Sequence, residues 1–265
     1  MYLHKKYTNS IKKKASSSIS LSNRLDVNKK YSKKDLTEWL FSKYRIKKNF
    51  KILEVGAGLG QHVLKESKII SSNGYILAVD NSKKSILNIK RKKLSNVEVK
   101  CLEMDTLPNL LDKKKIKFDR IISSYAIYYS NNPILLIKKL FKFLKPGGEM
   151  ILTVPNTPHT LIDLIISQTR IPINVVQSLF FGQKILKPFL IKNYKSCKIF
   201  DFKNELKIRN FNDLYNLYKS STFYIKEKEV KIKNFLFKSY SSKTKNKNYF
   251  PLKKSALTFI VKKIK

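Results

Sequence analysis

Between Lys51 and Val154 short apolar runs alternate with longer stretches whose apolar positions recur at helical spacing. The runs Lys51–Val55, Tyr75–Val79, Val97–Leu102, Phe118–Ser123 and Glu149–Val154 read as strands. Helices are expected from about Gln61 to Ile69, from Ser82 to about Lys93, and across Pro133–Leu144. Strand–helix alternation of this period predicts an α/β domain, a parallel sheet with right-handed crossovers and helices on both faces.

The flanks follow other rules. Residues 1–31 are basic and Ser-rich with little apolar content, and are expected to form a flexible leader without a fixed fold. A mitochondrial-type transit peptide would be richer in Arg than this stretch, which has only Arg24. Ser32 and Asp35 have capping-box-like spacing, and Leu36, Trp39, Leu40 and Tyr44 mark a short amphipathic helix opening the main domain, 32–265. Around the core of 51–156 the chain divides further. Residues 157–210 read as a lid-like insertion with helices at Thr160–Thr169 and Ile173–Phe181 and then an irregular basic segment. Residues 211–265 supply a closing helix, Phe211–Lys219, and strands at Phe223–Lys231 and Ala256–Lys262.

Composition narrows the class. With 42% hydrophobic residues and 12% aromatics the chain is not wholly disordered. Two cysteines, Cys101 and Cys197, make neither a disulfide framework nor a zinc site, and no metal is expected. No apolar run approaches the roughly 20 residues of a membrane span, so a soluble, cytoplasmic protein is expected. The formal charge of +38 favours polyanions, but it is spread along the whole chain, and only six of the 56 cationic residues are arginine. Bidentate phosphate and base recognition uses Arg, whereas these lysines travel with Asn and Ile as AT-rich coding dictates.

The chemistry lies at the predicted strand ends, where ligands bind in an open parallel sheet. The first end reads Glu54-Val55-Gly56-Ala57-Gly58-Leu59-Gly60-Gln61. A dinucleotide fingerprint needs its third glycine at position 61, which is Gln61, and Glu54 would repel a pyrophosphate. The loop therefore suits a cofactor bearing positive charge. Asp80 closes the second strand, where a carboxylate accepts ribose hydroxyls. Asp105 follows the third, placed for an adenine amine, with Met104 to pack on the ring. Three surface acids at three successive strand ends would be an unusual coincidence in a chain with 18 acids.

Glu54–Gly60, Asp80, Asp105, Phe118-Asp119 and Leu144-Lys145-Pro146-Gly147-Gly148 together resemble a class I S-adenosylmethionine-dependent methyltransferase, over about Lys51–Asn156. The resemblance implies a Rossmann-like, doubly wound seven-stranded sheet with the last strand antiparallel beside the fifth, and a helical lid insertion after the fifth strand. It also implies that Glu54, Gly56, Ala57, Gly58 and Gly60 hold the methionine part of S-adenosyl-L-methionine, Asp80 and Asn81 the ribose, and Met104 and Asp105 the adenine. Within the class the chain is most similar to small-molecule enzymes, including the quinone-biosynthesis type. Alignment of acceptor, methyl and sulfur then does most of the catalysis, and an oxygen acceptor adds the need for a base. Tyr125, after the fourth strand, and His159, after the fifth, are the candidate catalytic residues; Tyr128 and Tyr129 read as pocket wall. The apolar residues of the insertion, Leu161, Leu164, Ile165, Ile171, Val175, Val176, Leu179, Phe180 and Phe181, fit a small or lipid-like acceptor, and equally fit an ordinary core. An RNA methyltransferase, whose binding would collapse with salt, and a non-catalytic module of the same fold are the alternatives. Ser123-Ser124-Tyr125-Ala126 lacks the Asp/Asn-Pro-Pro-aromatic tetrad that enzymes methylating base amines or glutamine amides share, which weakens that form of the first alternative and leaves RNA carbon or ribose methylation open.

Overall fold

Why the first crossover works is visible in β1, Lys51–Val55: its last four residues are all buried, as a strand covered on both faces must be. The computed structural model describes residues 17–169 and 178–264. The start of the leader, and Ile171, Val175 and Val176 with most of the helix expected at Ile173–Phe181, lie outside the described residues. In chain order the elements are α1 Ser18–Tyr31, α2 Leu36–Tyr44, β1, α3 Gln61–Ile70, β2 Tyr75–Asp80, α4 Lys83–Lys90, β3 Val97–Cys101, α5 Leu107–Lys114, β4 Phe118–Ser124, α6 Pro133–Phe141 and β5 Leu144–Asn156. Then follow α7 Thr160–Gln168, α8 Lys187–Asn193, β6 Cys197–Ile208, α9 Phe211–Ser220, α10 Glu229–Lys247 and β7 Phe250–Lys262.

Among the described residues the seven strands form one sheet of order β3-β2-β1-β4-β5-β7-β6. The pairs β1–β2, β1–β4, β2–β3 and β4–β5 are parallel. β7 runs antiparallel to β5: Gly147 N–H donates to Lys263 O at 2.8 Å, Lys263 N–H returns a bond to Gly148 O at 2.9 Å, and Thr153 and Thr258 hydroxyls meet at 2.9 Å. The expected Lys145–Gly148 turn lies inside β5. There the register with β4 jumps from Phe118↔Leu144 to Arg120↔Glu149, so the turn interrupts the β4–β5 ladder and leaves residues 145–148 opposite Asp119 alone.

The described residues form two compact units. One takes Leu36–Pro155, Phe181–Asp201 and Leu257–Lys265; the other takes the described part of Met1–Asp35, Asn156–Phe180 and Phe202–Ala256. In the first, Arg120 on β4 fixes the end of α2. Its guanidinium donates to the carbonyls of Tyr44 (2.8 Å) and Arg45 (3.3 Å) and pairs with the buried Glu149 at 3.2 Å. That anchor sets Tyr44 against α3.

The second unit holds the departures from expectation. The described part of the leader is a helix rather than a flexible segment: α1 is capped by Ser17 Oγ and buries Val27 and Tyr31. Tyr31 OH and Lys30 Nζ both bond Asp213 of α9, at 2.6 and 2.9 Å. The sequence hid this helix because its buried face is narrow, and packing supplies the stability. The strand expected at Phe223–Lys231 is instead a short turn leading into α10. The aromatic and β-branched run looks extended, but Ile232 and Leu236 recur at four-residue spacing and are the helix's buried contacts. The sixth strand is β6, inside the segment expected to be irregular; its buried and exposed positions mix without a continuous apolar run. β7 begins at Phe250, six residues before the expected Ala256.

Candidate functional site

The carboxyl ends of β3, β2, β1 and β4 are neighbours, so their loops share one end of the sheet. The β1–α3 turn is built on left-handed glycines. Gly56 has φ +78, and an added Cβ would come 2.2 Å from the Cβ of Ala126 in the loop after β4. Gly60 has φ +79 and abuts Ile89 of α4. The turn hangs on β2: the N–H groups of Gly56 and Ala57 donate to Val79 O at 2.8 and 2.9 Å. Gly58 N–H donates to Asp80 Oδ2, and Ser82 N–H to Asp80 Oδ1, both at 2.8 Å. Asp80 is thus held by two backbone donors. Burial raises its pKa, and those two bonds oppose the rise.

Beside it, Asn81 donates its amide to Glu103 at 3.1 Å. Met104 and Asp105 form a single 3-10 turn after β3. Asp105 reaches across to the loop after β4: Oδ2 accepts from Asn131 N–H at 3.0 Å and Oδ1 from the Ser130 hydroxyl. Glu54, Gly56, Ala57, Gly58, Gly60, Asp80, Asn81, Met104, Asp105 and Tyr125 all belong to one unit; His159 belongs to the other. Cavities of about 120 and 190 Å³ lie elsewhere, one lined by Ile89, Leu94 and Val97 among others, the second by Ser42, Lys198 and Phe200 among others.

Tyr125 has φ +55, an uncommon conformation for an aromatic residue, and its N–H donates to Thr153 O at 2.8 Å. Burial pushes its phenol upward, so it is a neutral donor rather than a base. His159 precedes α7 as its N-cap. Burial, and then the field of Lys254, lower its pKa to about 3, which leaves a weak proton acceptor at neutral pH.

Sequence reasoning missed the neighbours of Glu54. Glu54 is 2% exposed, and Glu66 of α3 is fully buried against it. Around them stand His62 Nδ1, 3.9 Å from Glu54 Oε1, and Tyr44, whose hydroxyl meets His62 Nδ1 at 3.3 Å and Ser124 Oγ at 2.8 Å. The signal was in α3: Val63, Glu66, Ser67 and Ile70 are its buried stripe, and an acid sits in it. Burial raises Glu66 to about 7 and lifts Glu54 well above the carboxylate range, where repulsion from Glu66 adds to it.

A carboxyl of this kind contributes stability that is fully present below its unfolded value of 4.5 and is lost as pH rises through about 7. His62 (about 4) and His159 (about 3) act oppositely, costing stability as pH falls below 6.5. Both histidines remain in Glu66→Gln. The melting temperature of that variant relative to wild type should therefore climb between pH 5 and pH 8, the Gln amide donating to Glu54 throughout. A difference that stays flat in thermal melts across this range would contradict the buried pair.

The sheet order, the glycine turn and the strand-end acids define a class: the α/β fold of nucleoside-cofactor methyltransferases. The chain belongs to the methyltransferase-domain family, whose model matches residues 46–193, more than half of its length. It is 30% identical over 104 residues to the ubiquinone/menaquinone biosynthesis C-methyltransferase UbiE of Wigglesworthia glossinidia brevipalpis, covering 38% of this chain and 41% of that one. It is 30% identical over 127 residues to a probable cobalt-precorrin-6B C(15)-methyltransferase (decarboxylating) of Saccharolobus solfataricus, covering 46% and 60%. The chain thus matches about half the length of these relatives. The crystal structure of a putative methyltransferase from Bacillus halodurans superposes with TM-score 0.59 at 12% identity, covering 87% of this chain and 99% of that one, a likeness of fold. Among the described residues no helix is long and apolar enough to cross a membrane.

Proposed function

We propose that this protein binds S-adenosyl-L-methionine at the carboxyl ends of β1, β2 and β3 and transfers its methyl group to a small or lipid-like acceptor. The observation that carries this reading is the set of three carboxylates, Glu54, Asp80 and Asp105, at the ends of three adjacent strands around a left-handed glycine turn. The residues fit the group. Glu54 is a buried carboxyl with no Lys or Arg beside it among the described ion pairs, Asp80 is pre-aimed by two N–H donors, and Gly56 brings backbone where a side chain would not fit. The named activities of both curated relatives are C-methylations in small-molecule pathways, which favours carbon over oxygen as the acceptor atom.

S-adenosyl-L-methionine supplies a methyl group already activated on a sulfonium. The chain's own task is to hold the two partners in line and keep water out, which lowers the barrier by several kcal/mol. Glu54 takes the methionine ammonium, Asp80 the ribose hydroxyls through its remaining lone pairs, and Asp105 the adenine amine. Tyr125, in its strained conformation at the end of β4, presents a neutral phenol to the acceptor and orients it. At a carbon acceptor the new C–CH3 bond displaces the proton of that carbon, which passes to solvent water after transfer; His159, with its pKa lowered by burial, is too weak an acceptor to take it.

Calorimetric titration with S-adenosylmethionine and S-adenosylhomocysteine tests the cofactor. Micromolar binding is expected, followed by transfer of a labelled methyl group into the organic-soluble fraction of a cell extract. Label entering only RNA would replace the acceptor class, and absence of binding would remove the cofactor.

A further inference from the structure

Two carboxyl groups in the Leu36–Pro155 unit are buried with no cation to answer them. Glu66 is 0% and Glu54 2% exposed. Neither oxygen of Glu66, nor Oε1 of Glu54, receives a bond from an N–H or hydroxyl donor among the described residues. The chain has 56 Lys and Arg against 18 acids, yet no described ion pair brings a Lys or Arg to either carboxyl.

The groups facing the pair are neutral. His62, on α3, lies 3.9 Å from Glu54 and is held uncharged by burial, with Lys65 adding to that effect. Lys65 itself pairs with Glu38. Tyr44, from α2, spends its hydroxyl on Ser124 and His62, and Tyr125, after β4, is a phenol raised by burial. Two carboxylates in contact in such a site cannot both ionise. The partner each has is the other, and that contact needs a proton between them.

A purely structural pair is a poor device, since apolar side chains of similar volume stabilise as well or better. The position is informative instead: Glu54 stands two residues before Gly56, at the strand end that the glycine turn opens. A buried carboxyl at that place, with no Lys or Arg beside it among the described residues, suits a cation supplied from outside the chain.

We propose that Glu66 is a positioning residue for the cofactor: it shares one proton with Glu54 in the cofactor-free protein, and the pair releases that proton to solvent when the ligand's ammonium binds. The proposal rests on the cofactor reading above and extends it to a residue that touches the cofactor only through Glu54. Charge balances in the step: the pair goes from one negative charge to two as the cation arrives, and the proton goes to buffer.

The test is the heat of S-adenosylhomocysteine binding in buffers of different ionisation enthalpy, at about pH 6–7, where the ligand's amino group stays charged. Wild type is expected to release about 0.5–1 proton per ligand, with affinity rising up to about tenfold per pH unit. Glu66→Gln, whose amide donates permanently to Glu54, is expected to bind with buffer-independent heat and a flat pH profile. Infrared difference spectra should show a protonated-carboxyl band lost on binding in wild type and missing from the variant. Buffer-independent heat in wild type, or unchanged proton release in Glu66→Gln, overturns the proposal. If the variant fails to fold, the wild-type heats and the infrared band decide alone. No binding of either ligand overturns the cofactor reading instead.

Discussion

Asp80→Ala is expected to weaken binding of S-adenosylmethionine and S-adenosylhomocysteine alike by about 100-fold or more, because a hydrogen bond to a charged group is worth about 1.5–3 kcal/mol and two ribose hydroxyls are involved. The loss should exceed that in Asp105→Ala. Each carboxylate already accepts one bond at each oxygen, so the difference lies in the ligand: Asp80 faces two ribose hydroxyls and Asp105 a single adenine amine. Parallel loss for both ligands places the carboxylate on a part they share and away from the sulfonium methyl, and a matching loss of adenosine binding places it on the nucleoside. Calorimetry of the variants, with melting curves to confirm folding, checks this. Binding indifferent to Asp80 would exclude it from the site.

Gly56→Ala is expected to destabilise the fold by about 2–4 kcal/mol and to remove cofactor binding. About 1–2 of this comes from a left-handed conformation that an L-residue resists, and the rest from overpacking, since the new Cβ would stand 2.2 Å from that of Ala126. The melting temperature should fall by about 5–15 °C. Adding Ala126→Gly to the same chain removes the steric part and leaves the conformational part. The double variant should therefore recover part of the lost stability but keep a residual deficit. If Gly56→Ala melts like wild type, the turn does not approach the β4 loop as closely as described.

Much of the core was readable because its determinants are local. β1 and β2 are short apolar runs, β3 and β4 interleave their apolar residues with polar ones, the second half of β5 is apolar, each crossover helix carries its own period, and Asn132 and Ser82 cap the helices that follow them. The strand-end residues needed no long-range knowledge either, since an open parallel sheet brings the ends of β1, β2 and β3 together. Tyr125 and His159 could be named, but their ionisation could not be read. The environments that make one a strained neutral phenol and the other a weak base depend on burial by distant residues.

By itself, then, the sequence determined the parallel core, the glycine turn and the three acids at successive strand ends. Tertiary structure decided the rest. α1 is held through Tyr31 and Lys30 by Asp213, some 180 residues away along the chain. β6 has no continuous apolar run, and α10 buries little more than Ile232 and Leu236, so neither announces itself in a local pattern. Whether Glu66 is an exposed helix acid or a buried partner of Glu54 depends on what packs over α3. Apolar periodicity is a property of neighbours in sequence. The ionisation of a carboxyl belongs to its neighbours in space, and only the folded chain assembles those.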